Sequence, residues 1–131
     1  MNIAALIIGG LVGTLLRYFM GQWMPNLHNG FPIGIMLINF IGCFFLGWLF
    51  TVSTGLWHIH QEIRLGLGTG MTGAFTTFST FTVQSVWLME HGSQLIAISY
   101  ILMSILGGIV LTITGVRIAN IQLNRKNEVS S

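Results

Sequence analysis

Charged residues are scarce in this chain of 131 residues, which contains five basic and three acidic side chains, and none lies between Arg17 and Glu62. Soluble domains carry about 25% charged residues, whereas here 6% are charged and 53% hydrophobic. Because so few charges cannot cover a water-exposed surface, the sequence predicts an all-α integral membrane protein. A transmembrane helix needs about 20 mostly apolar residues, so the length limits the chain to about four spans.

The chain consists of apolar segments separated by turn residues, and we interpret residues 1–131 as a single membrane domain. A cluster rich in Pro, Asn and Gly between the first two segments predicts a turn, and we expect loops at 54–64 and at 90–92. The last residues are polar, and we expect them to be frayed. The predicted spans are about 3–23, 33–53, 65–89 and 95–116, followed by a polar tail, 117–131.

Several classes of protein are excluded by the same residues. A net charge of +2 and a pI near 9.2 arise from too few groups to form a nucleic-acid-binding stripe. The single Cys43 lies in an apolar run and is interpreted as a packing residue. With no aspartate and every histidine in a predicted loop, there is no acid–base pair at membrane depth, and haem or metal ligation by histidine is disfavoured. The histidines are His28, His58, His60 and His91.

The orientation is only weakly determined. An even number of spans places both termini on one side, together with Arg64, Arg117, Arg125 and Lys126, and the positive-inside rule then favours cytoplasmic termini. Arg17 lies toward the other side, and Arg125 and Lys126 lie several residues beyond the span. Both orientations therefore stay open.

The third span has an unusual composition for a lipid-facing helix. Gly66, Gly68, Gly70 and Gly73 fall within eight residues, and each glycine weakens a helix by about 1 kcal/mol relative to Ala. We therefore predict a break near 73–76. The G-x-G-x-x-G spacing is not taken as a dinucleotide site, since no preceding strand or acidic partner fits. Close helix packing is the preferred interpretation of the glycines.

Aromatic and hydroxyl residues follow these glycines. Phe75, Phe78 and Phe81 recur at every third position, and Thr77 and Thr80 form an adjoining row. An aromatic ring has an electropositive edge. Rings presented edge-on can therefore line a path for an anion without offering a full charge that would trap it.

Three strings in the chain resemble the motifs of the Fluc/CrcB fluoride channel family. The run GAFTTFSTF, residues 73–81, resembles the family signature, GGLVGTLLRY, residues 9–18, the first-helix motif, and GIMLINFIG, residues 34–42, the second-helix motif. The resemblance extends over all four segments in order. It implies a dual-topology dimer of two antiparallel subunits, with two fluoride pores and a structural sodium ion.

The resemblance also implies roles for individual residues. Carbonyls at the third-span break, matched by Gly73 and Thr76, would hold sodium, and carbonyl oxygens suit a hard cation. Phe78 and Phe81 match the pore phenylalanines. The other matched pore positions are Asn39, Ser79, Thr80, Tyr100 and Ser104, with Arg17 as the first-helix arginine.

Three positions keep an alternative interpretation, and a fourth departs from the family pattern. Arg17 either attracts anions to a vestibule or extends its side chain to the interface. Asn39 is either a pore donor or a hydrogen-bonding contact between helices, and Tyr100 is either a pore residue or an interfacial aromatic. Ile35 departs from the family, in which many members carry threonine, so a hydroxyl contact is lost there.

The resemblance implies a passive fluoride channel in the cell membrane that lowers cytoplasmic fluoride. Its partners would be fluoride, the lipid bilayer and a second subunit, either an identical copy or a homologue of opposite topology. A small proton-coupled multidrug transporter is the alternative, but such exchange needs a carboxylate within the membrane. Glu62, Glu90 and Glu128 all lie in predicted loops or the tail.

Overall fold

The computed structural model describes residues 3–23, 31–55, 59–91 and 94–129, and all regular structure in this part of the chain is helical. The turn predicted between the first two spans, together with His28 and His58, lies outside the described residues. The elements are α1 (Ile3–Trp23), α2 (Ile33–Gly55), α3 (Gln61–Leu65), a π-helical segment (Gly66–Thr72), α4 (Gly73–Phe75), α5 (Phe78–His91) and α6 (Gln94–Val129).

Three of these helices are long and apolar enough to cross a membrane: α1, α2 and α6 from Gln94 to Lys126. Their apolar side chains lie largely on the outside; Ile7 and Leu11 of α1 and Leu106 and Val110 of α6 are all more than half exposed. Exposed apolar faces of this extent are stable in lipid rather than in water. The chain is a multi-pass membrane protein.

Helix α6 extends further than the sequence predicts. The expected span ends at 116, with a frayed tail after it, whereas α6 continues to Val129. No proline or glycine follows Gly115 in this stretch, so nothing in the local sequence ends the helix. Contacts with α2 also fix it, because the Trp48 indole donates a hydrogen bond to Gln122 Oε1 at 3.1 Å.

The third span is built from four helical pieces, α3, the π segment, α4 and α5, between Gln61 and His91. Glu62 and Arg64 lie in α3 rather than in a loop, and His91 is the last residue of α5. The glycines at 66, 68 and 70 remain helical, with a π turn instead of an α turn. Backbone at membrane depth must keep its hydrogen bonds, and a widened turn preserves them where glycine weakens the α-helix.

Glycines set the packing of α1 on the third span. A Cβ atom added to Gly9 would collide with the carbonyl oxygen of Gly66, and one added to Gly13 would collide with that of Met71. Gly66 and Gly70 approach α1 from the other side, where an added Cβ atom would lie 2.9 Å and 2.8 Å from α1 carbonyl oxygens. This confirms the close-packing interpretation for Gly66 and Gly70, whereas it is wrong for Gly73, where an added Cβ atom would meet nothing within 4 Å.

Candidate functional site

The third span is not helical at two residues, Thr76 and Thr77. Helix α4 ends at Phe75, Thr76 is extended with φ −76° and ψ 155°, and α5 begins at Phe78. The Asn39 side chain of α2 lies against this point. Its Oδ1 accepts a hydrogen bond from the Thr77 amide at 2.9 Å, and its Nδ2 donates to the Thr77 carbonyl at 3.2 Å. One side-chain amide thus satisfies both backbone groups of Thr77, which removes the cost of leaving them unpaired in the membrane.

The Thr77 hydroxyl begins the next helix. Its Oγ1 accepts a hydrogen bond from the Thr80 amide at 3.1 Å, as an N-cap side chain does. The same hydroxyl donates to Thr80 Oγ1 at 2.9 Å and lies 3.3 Å from Ser79 Oγ. Three hydroxyls therefore meet at the start of α5. Thr77 is buried and Ser79 is exposed, so the cluster runs from the interior to the surface.

An aromatic row continues from this cluster. The Phe78 and Phe81 ring centroids are 5.9 Å apart, and those of Phe81 and Tyr100 are 5.3 Å apart. Phe31 meets the Tyr100 ring edge-on at 5.5 Å. Tyr100 has no exposed surface, and its hydroxyl donates to Gln84 Oε1 at 3.1 Å. Because Tyr100 is fully buried, it is not an aromatic residue exposed at the membrane–water interface.

A cavity of about 300 Å³ joins the interruption to the aromatic row. Asn39, Phe78, Phe81 and Ser104 all line it, so four of the predicted pore residues share one space. None of its lining side chains is charged; the others are Cys43, Leu46, Thr76, Thr77 and Ile105. The polar groups facing this cavity are neutral amide and hydroxyl groups beside two phenylalanine rings.

Ser104 links this cavity to a second one along α6. The second space, of about 410 Å³, is lined by Cys43, Ser104, Ile105 and Thr112 among others. Ser104 Oγ is buried and has no hydrogen-bond partner within the described residues. A buried hydroxyl without a partner is costly, so this group is available to an ion or water molecule in either cavity. Cys43 Sγ would lie 3.4 Å from a Cβ atom at Gly108, an ordinary packing distance.

Several backbone carbonyls at the interruption lose their usual helical partners, because α4 ends at Phe75 and α5 begins only at Phe78. In an α-helix the Gly73 carbonyl accepts from the amide of residue 77, and the Thr76 carbonyl from that of residue 80. Here the Thr77 amide donates to Asn39 and the Thr80 amide donates to Thr77 Oγ1. The carbonyls at residues 73 and 76, which the family resemblance matches to sodium ligands, therefore belong to this group.

The structure does not bring every predicted residue to the cavity. Arg17 is partly buried on α1, which contributes no residue to the cavity lining. Gly73 is exposed, and a Cβ atom there would meet nothing within 4 Å. Tyr100 contributes through the Phe81 ring rather than by lining the cavity, and Ile35 is partly buried in α2.

Two residues absent from the predicted set have clear roles in the geometry. Thr77 both receives the Asn39 amide and caps α5, and Gln84 accepts the Tyr100 hydroxyl. The row of polar residues at 77 and 80 pointed to the first of these positions. What the sequence could not supply was the pairing of Thr77 with a residue 38 positions earlier.

The family model described as "CrcB-like protein, Camphor Resistance (CrcB)" matches residues 4–116. The chain belongs to the CrcB family. A relative from Oceanobacillus iheyensis named "Fluoride-specific ion channel FluC" is 46% identical over 118 residues, which cover 90% of this chain and 91% of the relative. "Fluoride-specific ion channel FluC 1" of Bacillus cereus is 45% identical over 106 residues, covering 80% and 74%. The protein of the same name from Moorella thermoacetica is 38% identical over 122 residues, covering 92% and 87%. The CrcB match thus includes α1, α2, the interrupted third span and most of α6.

Proposed function

We propose that this CrcB protein is a fluoride-selective channel of the cell membrane that releases cytoplasmic fluoride passively. The observation that carries the proposal is the uncharged cavity in which Asn39, Thr77, Ser104 and the rings of Phe78 and Phe81 meet. Fluoride is small and strongly hydrated, so a pore must replace its water with several weak donors. Amide, hydroxyl and ring-edge groups fulfil this requirement without holding the ion too tightly for exit. The names of the relatives support the same function.

The driving force requires no chemical reaction. Hydrogen fluoride crosses membranes as a neutral acid and ionises in the cytoplasm, which traps the anion. An inside-negative potential contributes about 2.3 kcal/mol per charge per 100 mV toward anion exit. A passive pathway is therefore sufficient, and the family is one of ion channels rather than enzymes.

Proton-coupled drug export is the less favoured function. It needs a carboxylate that exchanges protons within the membrane. The two acidic side chains that the structure describes, Glu62 and Glu90, are exposed and lie near the ends of the third span. Neither lines the cavity that contains the pore residues.

We further propose that a second subunit completes each pathway, inserted in the opposite orientation. Phe78 is 80% exposed, and Gly73 and Ser79 are also exposed. This polar and aromatic surface lies midway along the third span, at membrane depth, where it needs a covering partner. A partner packed on this surface would enclose it. The small number of basic residues outside the spans supports insertion in both orientations. The partner is either an identical copy or a homologue of opposite topology.

Sodium is proposed as a structural ion at the Gly73 and Thr76 carbonyls. Both oxygens have lost their helical amide partners, and carbonyl oxygen is a suitable ligand for a hard cation. The described residues include no group of three or more His, Cys, Asp or Glu side chains that could hold a metal. Bound sodium would join the third spans of the two subunits and would not be transported.

Reconstitution in liposomes tests the proposed function. Efflux of fluoride and chloride is recorded after a potassium ionophore is added, with the protein purified in sodium or in N-methylglucamine. We expect fluoride efflux in sodium and none of chloride. Equal efflux of the two anions would falsify the proposed selectivity. Fluoride efflux that is unaffected by complete removal of sodium would overturn the proposal of a structural sodium ion.

The oligomeric state and the positions of the termini test the second subunit. The protein is expressed alone, its termini are labelled from each side of the membrane, and the molar mass of the purified protein is measured by size-exclusion chromatography with light scattering. A dimer whose termini are labelled from both sides supports the antiparallel homodimer. A monomer that becomes dimeric only with a co-expressed homologue supports the heterodimer instead.

A further inference from the structure

Helices α2 and α6 run side by side in the same direction, and their contacts fix the depth at which α6 ends. An added Cβ atom at Gly47 would collide with the Thr112 carbonyl, and one at Gly55 would collide with the Leu123 side chain. The last residue of α2 therefore lies beside Leu123. Because the 23 residues of α2 are about enough to cross a membrane, its end marks the membrane edge. Residues 117–126 of α6 lie around this edge.

The two sides of α6 differ at the membrane edge. One side packs on α2, since Ala119 has no exposed surface and a Cβ atom at Gly115 would collide with the Phe44 carbonyl. The opposite side is exposed, and four of its residues fall within an arc of about 100° on the helix. We call them the α6 basic stripe, which consists of Arg117, Ile118, Ile121 and Arg125.

Arg117 lies on the membrane side of this edge. Its Cα atom is about 9 Å before that of Leu123 along the helix, given the rise per residue. The side chain is exposed and has no hydrogen-bond or ion-pair partner within the described residues. A cationic group in hydrocarbon is costly, so the side chain must extend toward the polar headgroups. The guanidinium group then lies among lipid phosphates.

The side chains of the stripe indicate which partner it fits. A guanidinium group binds phosphate oxygens through two parallel hydrogen bonds, and the stripe carries one such group toward each end. Between them, Ile118 is 38% and Ile121 55% exposed, and these apolar surfaces suit acyl chains. A free phosphate ion would leave both isoleucines uncovered. A phospholipid would cover the isoleucines as well as the arginines.

The charge at this end of the helices favours an anionic lipid over a zwitterionic one. Residues 56–65 and 117–131 together contain four of the five basic side chains and two of the three acidic ones. The excess of positive charge attracts a negatively charged membrane surface, and the effect falls off within a Debye length. A headgroup with a net negative charge therefore gains more at the stripe than a neutral one.

We infer that the α6 basic stripe binds an anionic phospholipid, with Arg117 and Arg125 on the phosphate oxygens and the two isoleucines on the acyl chains. This interaction goes beyond the proposed channel function and does not depend on it. The surface proposed for a second subunit is centred on Phe78, midway along the third span, and does not include the stripe.

Thermal unfolding in a lipid titration tests the stripe. Detergent-purified protein is titrated with phosphatidylglycerol or with phosphatidylcholine of the same acyl chains, because a ligand that binds the folded state raises the unfolding midpoint. Arg117→Gln removes one guanidinium group, and a double variant with Arg125→Gln removes both. Arg117→Lys keeps the charge. Arg64→Gln is the matched control, since it removes one positive charge from α3, at the same membrane edge but outside the stripe.

Wild-type protein is expected to need less phosphatidylglycerol than phosphatidylcholine for half of the full rise in midpoint. Each arginine near an anionic surface contributes about fivefold in affinity, so Arg117→Gln should need about fivefold and the double variant about 25-fold more phosphatidylglycerol. Arg117→Lys and Arg64→Gln should stay close to the wild type. If the double variant does not yield folded protein, the comparison of Arg117→Gln with Arg64→Gln decides.

Three results would overturn the inference. One is equal stabilisation of the wild type by the two lipids, and another is an equal loss in Arg117→Gln and Arg64→Gln, which would indicate general surface charge instead of the stripe. The third is stabilisation by soluble glycerol 3-phosphate at the concentrations at which phosphatidylglycerol acts, which would indicate a site for a free phosphate. Because the titration contains no fluoride, a protein that shows the expected lipid preference but no fluoride transport would overturn the channel function alone.

Discussion

At the residue scale, Asn39 combines two roles that the sequence analysis treated as alternatives. The two interpretations were a donor in the pore and a hydrogen-bonding contact between helices, and the geometry combines them. One Nδ2 hydrogen and Oδ1 are bonded to the Thr77 backbone, while the residue lines the cavity shared with Phe78 and Phe81. An amide has a second N–H group, so Asn39 can hold the backbone of the interruption and still donate to an ion.

Asn39→Leu tests this contact. Leucine neither accepts from the Thr77 amide nor donates to the Thr77 carbonyl, and an unpartnered buried backbone group costs about 1–3 kcal/mol. We expect a lower thermal unfolding midpoint and loss of fluoride efflux. Unfolding is followed by tryptophan fluorescence and efflux by a fluoride electrode. An unchanged midpoint would mean that the bonds to the Thr77 backbone contribute nothing to stability.

Phe78→Ile and Phe81→Ile test the ring edges. Isoleucine keeps the side chain apolar and removes the electropositive ring edge, and the loss of one weak contact worth about 1.4 kcal/mol at the barrier slows transport by about tenfold. Fluoride efflux should fall in both variants while the elution volume of the purified protein stays constant. Phe19→Ile, on the exposed face of α1, is the control and should transport normally. Normal efflux in both pore variants would remove the rings from the pathway.

At the element scale, α1 is held to the third span by backbone contacts rather than by interlocking large side chains. Gly9 and Gly13 lie one turn apart and face the carbonyls of Gly66 and Met71. Most of the large apolar side chains of α1 are exposed, so they contact lipid instead. The π segment therefore packs directly against α1. We expect a change at this contact to shift the backbone at the interruption as well.

Gly9→Ala and Gly10→Ala form a matched pair on the same helix. A methyl group at residue 9 collides with the Gly66 backbone, which cannot move aside as a flexible side chain would, whereas a methyl group at residue 10 meets nothing within 4 Å. We expect Gly9→Ala to lower the thermal unfolding midpoint. Gly10→Ala should leave it unchanged or raise it, since alanine stabilises a helix interior by about 0.5–1 kcal/mol relative to glycine. Equal midpoints for the two variants would contradict the proposed contact.

At the scale of the whole molecule, the proposed pathway is open on one side in a single chain. The cavity opens where Phe78 is 80% exposed, and the carbonyls proposed to hold sodium come from a single third span. A second copy in the opposite orientation would supply the missing wall and a second pair of carbonyls. Such a dimer requires that insertion be nearly balanced, which the few basic residues near the membrane edges allow.

Added positive charge should disturb this balance. Three lysines attached to the N-terminus bias insertion toward one orientation, and we expect cells that express this variant alone to retain fluoride. Co-expression with a variant that carries the lysines in the predicted loop between the first two spans, on the opposite side, should restore release. Intracellular fluoride is measured with an electrode after lysis. Full release by either biased variant alone would show that one orientation is sufficient.

The sequence by itself determined that this protein lies in a membrane, approximately where its first two helices begin and end, and which family it resembles. These conclusions depend on local properties: few charges, apolar runs of sufficient length and a short motif around Phe78 and Phe81. The glycines also indicated close packing, because a residue without a side chain lets two membrane helices approach each other.

Only the tertiary structure decided how the polar residues are used. The Asn39 side chain accepts from the Thr77 amide of another helix, and the Tyr100 hydroxyl donates to Gln84. The Thr72 hydroxyl donates to the Leu67 carbonyl within a π turn. The first two pairings depend on the relative rotation and spacing of helices, which no local pattern encodes. The amide and the carbonyl of Thr77 needed partners at membrane depth, and the Asn39 side chain of α2 supplied both.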